Sequence, residues 1–180
     1  MREIIEALKV RGFSEQDAKS AAQRWYAWLM EVTAEHDVEK HFEAVSDCAT
    51  KELIVINNID AVLICPHHLL PVPMNISIGY MPNGKVLGLS KFARVARALS
   101  APKLQEQYVE DLANTLFSHL APRWLMVTVR GEHQCMRLRG VFTKESAVLT
   151  SAMRHSTNMP SYMVQGFKSE FLRMMDIGHK

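Results

Sequence analysis

Apolar positions recur with a period near 3.6 over residues 2–10 and again over 14–33, which predicts two helices at the start of the chain. Ser14 has the character of an N-cap, with Asp17 three positions on in a variant of the capping box. Trp25, Tyr26 and Trp28 read as a packed face of the second helix. Residues 34–50 are polar and predict loop or short helix. At Leu53 the pattern changes to short β-branched runs, LIVI (53–56) and AVLIC (61–65), and then to the alternating NISIGYM (75–81). Pro82-Asn83-Gly84-Lys85 predicts a tight hairpin turn, with KVLGL (85–89) as the returning strand. Residues 90–99 predict a helix capped by Ser90. After Pro102, Leu104, Tyr108, Leu112, Leu116 and Leu120 mark a second helix over 103–120. Three further strands are expected at 124–130, 136–142 and 146–151, and a short closing helix at 166–176. Helices, strands, two helices and strands again predict an α+β fold with a largely antiparallel sheet. The expected organisation is an N-terminal helical extension, 1–50, followed by one compact unit, 51–180.

Composition narrows the classes. A chain of 180 residues with 48% apolar and 22% charged side chains can bury a core of ordinary size. A net charge of +2 gives no basis for broad nucleic-acid binding, although local cations could hold a small anion. No apolar run approaches the length of a membrane span, and MREIIEALKVRGFSEQ lacks the apolar core of a signal peptide. Three cysteines cannot close a disulfide framework, so a reducing cytoplasm is the expected location.

Chemistry concentrates in two segments. In CPHH, Cys65 and His68 stand three positions apart at a predicted strand end; much later GEHQC offers His133 and Cys135 at another. Cys65, His68 and Cys135 make a soft set of two sulfurs and one nitrogen, which suits zinc and argues against magnesium or calcium. Three protein ligands with an open position is the catalytic pattern, and four closed ligands the structural one. His133 or His67 could supply a fourth ligand, so spacing leaves the choice open. If water completes the site, His67 and His133 stand beside it as proton carriers. A single C-x-x-H is weak evidence, and the competing reading is two Cys- and His-rich strand ends. Cys48, His36, His41, His119, His155 and His179 read as surface or packing residues.

CPHHLLP, IGYMPNGKVLGLSKFARV, LQEQ, HQCMRLRGV and TSAMR, in that order and spacing, resemble the GTP cyclohydrolase I family from about Asn57 to Met175. The resemblance implies the tunnelling fold: a four-stranded antiparallel sheet with two helices between its strand pairs, here preceded by N-terminal helices. It implies a homo-oligomer, in this family usually a decamer of two stacked pentamers, with active sites shared between subunits. Carried over by position, Cys65, His68 and Cys135 match the Zn2+ ligands, and His67 and His133 the catalytic imidazoles. Ser90, Lys91 and Arg94 match residues that hold the triphosphate; a helix start with two cations is a ready anion site. Gln105 and Glu106 match the guanine-reading pair. Arg139 matches an arginine that reaches the triphosphate across a subunit boundary, and Arg24 a phosphate contact in the N-terminal helix. The implied reaction is hydrolytic opening of the purine imidazole ring of GTP at C8, giving formate and 7,8-dihydroneopterin triphosphate.

The chain departs from that pattern in places. Pro66 stands where the family has Glu, Val72 where it has Phe, and Met74 and Ser77 where it has Gly and His. AAQRWYA keeps Arg24 but puts Ala27 where a second phosphate-binding cation would be. The interval from Ser90 to Gln105 is one residue short. Two other readings therefore stand beside GTP hydrolysis: a divergent paralogue acting on another purine nucleotide, and a non-catalytic, zinc-stabilised oligomeric binding protein. A structural relic would have little reason to keep both imidazoles beside the three ligands.

Overall fold

A computed structural model describes residues 1–34 and 36–177; His179 and the end of the 51–180 segment lie outside them. The chain divides into two compact units, Met1–Glu35 and His36–Lys180. The first is a helical hairpin of α1 (Arg2–Val10) and α2 (Glu15–Val32). Ser14 caps α2 as its sequence implies: its oxygen accepts the Asp17 N–H at 3.0 Å while its hydroxyl donates to the Asp17 carboxylate at 2.7 Å. The buried residues of α2 are the small Ala18 and Ala22. Trp25 and Tyr26 are exposed, against the expectation of a packed aromatic face. A two-helix unit covers only one stripe of each helix, and the alanines occupy it.

The second unit opens with a 3-10 turn, Glu39–His41, and a short strand β1 (Val45–Asp47). Then come β2 (Ile54–Ile64), β3 (Pro71–Met81), β4 (Lys85–Leu87), α3 (Leu89–Ala98), α4 (Gln105–Leu120), β5 (Trp124–Gly131), α5 (Gln134–Arg137), β6 (Val148–His155) and α6 (Ser161–Ile177). The main sheet is antiparallel in the order β2-β3-β5-β6, with α3 and α4 inserted between the two strand pairs. That is the arrangement of the tunnelling fold.

Several expectations need correction. The runs expected at 53–56 and 61–65 fall on one continuous strand, β2, which begins at Ile54 and ends at Ile64. Its pairing with β3 passes from Ile56↔Ile78 to Ile59↔Ile76, so β2 advances three residues while β3 advances two. The extra residue is a β-bulge, and Asn58 takes up its positive φ of 58°. Lys85–Leu87 does not return along β3. It pairs with β1 instead, because β2 and β5 already occupy both edges of β3. The helix after it is capped by Gly88, which places Ser90 inside the first turn of α3 rather than at its cap. Residues 136–142 are not a strand. Met136 and Arg137 complete the single-turn α5, and Gly140 and Phe142 then take positive φ, which extended pairing does not tolerate.

Strand alternation sorts the sheet into two faces. Ala61 and Leu63 of β2 with Cys65 just past its end, Met74, Ile76, Ile78 and Tyr80 of β3, and Leu125, Val127 and Val129 of β5 form one core with α3 and α4. The helices meet it through Phe92, Val95 and Ala96 of α3 and through Tyr108, Leu112 and Leu116 of α4. Tyr108 also donates its hydroxyl to the Ala96 carbonyl at 2.7 Å, which ties α4 to α3. On the opposite face Trp124, Met126 and Met81 pack with Val164 and Phe171 of α6. Gly79 makes that packing possible, since a Cβ there would collide with the Phe171 ring.

Gly79→Ala should therefore cost about 1–3 kcal/mol by overpacking, read as a lower urea midpoint; a wild-type midpoint would remove the close-contact account. A second expectation concerns His119 of α4, whose ring stacks on Phe42 at 3.9 Å. Its two nitrogens face two acceptors, the Thr115 carbonyl and the Glu39 carboxylate, each at 2.8 Å, with the Ser118 hydroxyl a further 3.3 Å neighbour of Nδ1. Burial opposes the charge on this imidazole, but the two acceptors outweigh it and raise its pKa. A raised folded-state value means stability that is full below the ordinary histidine pKa of about 6.5 and lost as pH rises through the folded value. His119→Ala should thus cost more at about pH 5.5 than at about pH 8.5, by up to about 1 kcal/mol for so exposed a pair. Equal costs at both pH values would show that the pair contributes nothing as an ion pair.

Candidate metal centre and anion site

The turn that joins β2 to β3 carries the first cluster. Cys65 N–H donates to the Leu70 carbonyl at 2.9 Å, and the Cys65 carbonyl accepts from Leu69 N–H at 2.8 Å. Pro66 follows Cys65 at the first corner, where its fixed φ suits a turn and its missing N–H is not needed. Leu69 closes the turn with a φ of 51°. The closure turns Cys65 inward, 5% exposed, while His67 and His68 stand at the surface. His68 Nδ1 lies 3.7 Å from Cys65 Sγ.

The second cluster follows β5. Glu132 N–H continues the pairing to β3 by donating to the Pro73 carbonyl at 2.9 Å. The chain then breaks into α5, with His133 at its N-cap and Cys135 in its only turn. Arg130 and Arg137 both bind the Glu132 carboxylate, and Arg137 Nε donates to the Ser146 carbonyl at 2.9 Å. These bonds hold the segment against the sheet end. Ligand atoms of Cys65, His68 and Cys135 consequently lie within 4.8 Å of one another. Burial pushes the Cys135 thiol up, the adjacent Cys65 pushes it further, and the Arg139 charge pulls it back in part. Two thiols and an imidazole at this separation fit a tetrahedral thiophilic cation.

The remaining predicted residues lie on several elements and differ in exposure. His133 is half-buried; burial lowers its pKa, partly offset by the Glu106 carboxylate. Its Nε2 is 2.9 Å from Gln105 Oε1. Gln105 is 2% exposed, its side chain turned under the sheet, whereas Glu106 beside it in the first turn of α4 is exposed. Ser90, Lys91 and Arg94 lie along the start of α3, with the apolar side of the helix held down by Phe92 and Val95. Arg139 is exposed in the loop after α5. Arg24 is exposed on α2 of the N-terminal unit.

The sequence reading missed two groups. His41, assigned there to surface or packing, has its pKa lowered by burial and then by Lys40, Lys91 and Arg94, so it belongs to the cationic surface at the start of α3. Gly131 is the other: a Cβ there would strike Gln105 Oε1. The adjacent pair Lys40-His41 was the only sequence signal for the first, and Gly131 carried none.

Among known families, residues 1–173 match GTP cyclohydrolase I. The GTP cyclohydrolase 1 of Wolinella succinogenes is 39% identical over 109 residues, which cover 60% of this chain and 58% of that protein. The GTP cyclohydrolase 1 of Pelotomaculum thermopropionicum is 37% identical over 122 residues, 67% of this chain and 65% of that one. The GTP cyclohydrolase 1 of Rhodopirellula baltica is 35% identical over 159 residues, 86% and 68% respectively. The chain thus spans less than two thirds of the length of the first two relatives. Similar solved structures include the archaeosine synthase QueF-Like in the apo form, with TM-score 0.49 and 19% identity over 62% of this chain and 99% of that one. Dihydroneopterin aldolase of E. coli in complex with neopterin aligns with TM-score 0.45 and 11% identity over 57% and 98%. Scores below 0.5 leave the fold to be read from the strand order itself. No helix among the described residues is long and apolar enough to cross a membrane.

Cys135→Ala should abolish stoichiometric zinc binding, measured by elemental analysis of dialysed protein. Zinc retained at wild-type stoichiometry would mean that the third ligand lies elsewhere.

Proposed function

The chain belongs to the GTP cyclohydrolase I family, and on that footing we propose that it opens the imidazole ring of GTP at C8 by hydrolysis, giving formate and 7,8-dihydroneopterin triphosphate. One observation carries the reading: Cys65, His68 and Cys135, from the ends of two different strands, bring three soft donors within 4.8 Å, and His133 stands close by on the same segment as Cys135 without belonging to that set. Zn2+ is the ion this donor set favours, and when bound it would polarise a water and lower its pKa toward neutrality.

The protein's own residues then have separable tasks. His67 and His133 move protons as the C8–N bond opens and formate leaves. Glu106, exposed beside the buried Gln105, accepts N–H groups from the guanine edge, an arrangement adenine cannot match. The inward course of the Gln105 side chain leaves the outward reading of the base to Glu106 alone. Ser90, Lys91 and Arg94 hold the triphosphate against the α3 N-terminus, with His41 adding a donor when protonated. Arg139 and Arg24 supply further guanidinium contacts to phosphate. Ala27 offers no such contact, which motivates the second reading, a purine nucleotide with fewer phosphates.

Assembly is part of the proposal. The outer strands β2 and β6 are 11 and 8 residues long and, among the described residues, pair on one side only. Val62 on β2 and Leu149 on β6 are exposed. Long unpaired edges with apolar residues are normally protected by pairing, which supports a homo-oligomer closed through these strands, with Arg139 reaching the neighbouring subunit. Thiolate ligands persist in a reducing compartment, which supports a cytoplasmic location.

The test is zinc-loaded protein with GTP, scored for formate and for a fluorescent oxidised pterin, with GDP and GMP in parallel. Release from GTP supports the proposal, release from GDP or GMP alone supports the paralogue, and none from any nucleotide leaves a binding protein. His133→Ala should keep its zinc while kcat falls about 10²–10⁴-fold; loss of the metal in that variant would make His133 a fourth ligand and end the open-site reading.

A further inference from the structure

Gln105 is one of two polar or charged residues that are buried among the described residues, and its surroundings fix which way its amide faces. The amide nitrogen lies 3.0 Å from the Val148 carbonyl, 3.4 Å from the Val129 carbonyl and 3.1 Å from the Thr150 hydroxyl oxygen. Carbonyl oxygens only accept, so the NH2 group must stand on that side. The amide oxygen is thereby turned to His133 Nε2 at 2.9 Å, and an amide oxygen also only accepts. His133 must donate from Nε2. In the neutral imidazole that places the proton on Nε2 and the lone pair on Nδ1.

The backbone of His133 is pinned separately. Its carbonyl accepts from Met136 N–H at 2.9 Å and Arg137 N–H at 3.1 Å, and the preceding Glu132 is clamped between Arg130 and Arg137. With the backbone fixed at the N-cap of α5, the Gln105 bond sets the remaining freedom, the rotation of the ring. Gly131 belongs to the same device. Its missing side chain leaves the space in which the amide oxygen sits, and a Cβ would strike that oxygen.

We propose that Gln105 is a positioning residue that locks the His133 ring in its Nε2–H tautomer, with Thr150 and the space at Gly131 holding the amide in register. This rests on the proposed role of His133 in GTP ring opening and deepens it: the reacting nitrogen is Nδ1. It also separates the adjacent Gln105 and Glu106 into two tasks, one holding the base catalyst and the other reading the guanine.

Two variants disturb the lock from different sides. Gln105→Leu removes the acceptor, and Gly131→Ala keeps the glutamine but displaces its oxygen. Protein carrying 15N-labelled histidine reports the tautomer of each imidazole by long-range proton–nitrogen NMR, with the His133 signals assigned from His133→Ala. The expected result is a single Nε2–H form in the wild-type protein and a tautomer mixture in both variants. With GTP, kcat should fall on the order of 10–100-fold, a part of what general acid–base catalysis supplies, while KM stays within about threefold. An unchanged tautomer in both variants overturns the proposal. So does a rise in KM of about tenfold or more with kcat preserved, which would make Gln105 a substrate contact. If the wild-type protein releases no formate, the GTP reading falls while the NMR comparison still decides the tautomer lock.

Discussion

The register of β3 against its two neighbours is the constraint on which the rest depends. Met74 pairs with Ala61 of β2 on one side and with Gly131 of β5 on the other. Antiparallel pairing then carries both neighbours past the same end of β3. The turn after β2 and the segment after β5 emerge side by side, although about 65 residues of chain separate them. A slip of one residue would reverse every side chain on the slipped strand. Cys65 would leave the core face and Ile59 and Leu63 would face the opposite side, so the same apolar burial that stabilises the sheet also aims the thiol. The folding energy and the donor set are secured by one register.

The two faces of the sheet divide stability from chemistry. The face under α6 is a packing surface, and the Gly79–Phe171 contact shows how closely the helix approaches it. The face under α3 and α4 holds the larger core, and at its end the apolar packing gives way to thiols, imidazoles and cations. Cys65 and Cys135 belong to both regimes. Cys65 is a member of the core cluster and Cys135 packs against it. Such ligands are held by dense packing, so a metal would meet donors already near their places and little ordering would remain to be done on binding.

Polar groups are placed with the same economy of motion. Gln105 is buried because every hydrogen on its amide has an acceptor, and its oxygen has a donor. Glu132 is held by two guanidinium groups, and the turn it anchors carries His133 and Cys135. The cations at the start of α3 face outward, where water keeps their mutual repulsion small. Charge is thus concentrated where a polyanion could enter and is paired where it supports the backbone.

Much of this was legible in the chain itself. Alternation in NISIGYM and the helical spacing from Leu104 to Leu120 are local patterns, and local patterns report local structure. The donor types and their order were legible too, because Cys and His at strand ends have few roles in common. Other features were decided only by packing. The pairing of Lys85–Leu87 with β1 followed from both edges of β3 being taken, which no turn sequence reveals. Residues 136–142 have strand-like composition, yet Met136 and Arg137 complete a helical turn begun at Gln134, and positive φ at Gly140 and Phe142 turns the rest away from extended pairing. Nothing in the chain marks Gln105 as buried, because its burial depends on Gly131 leaving a space 26 positions away. Residue type and period determine which elements form and which atoms could do chemistry. Only the shared register of three strands decides which of those atoms meet, because contacts distant in sequence have no signature in either segment alone.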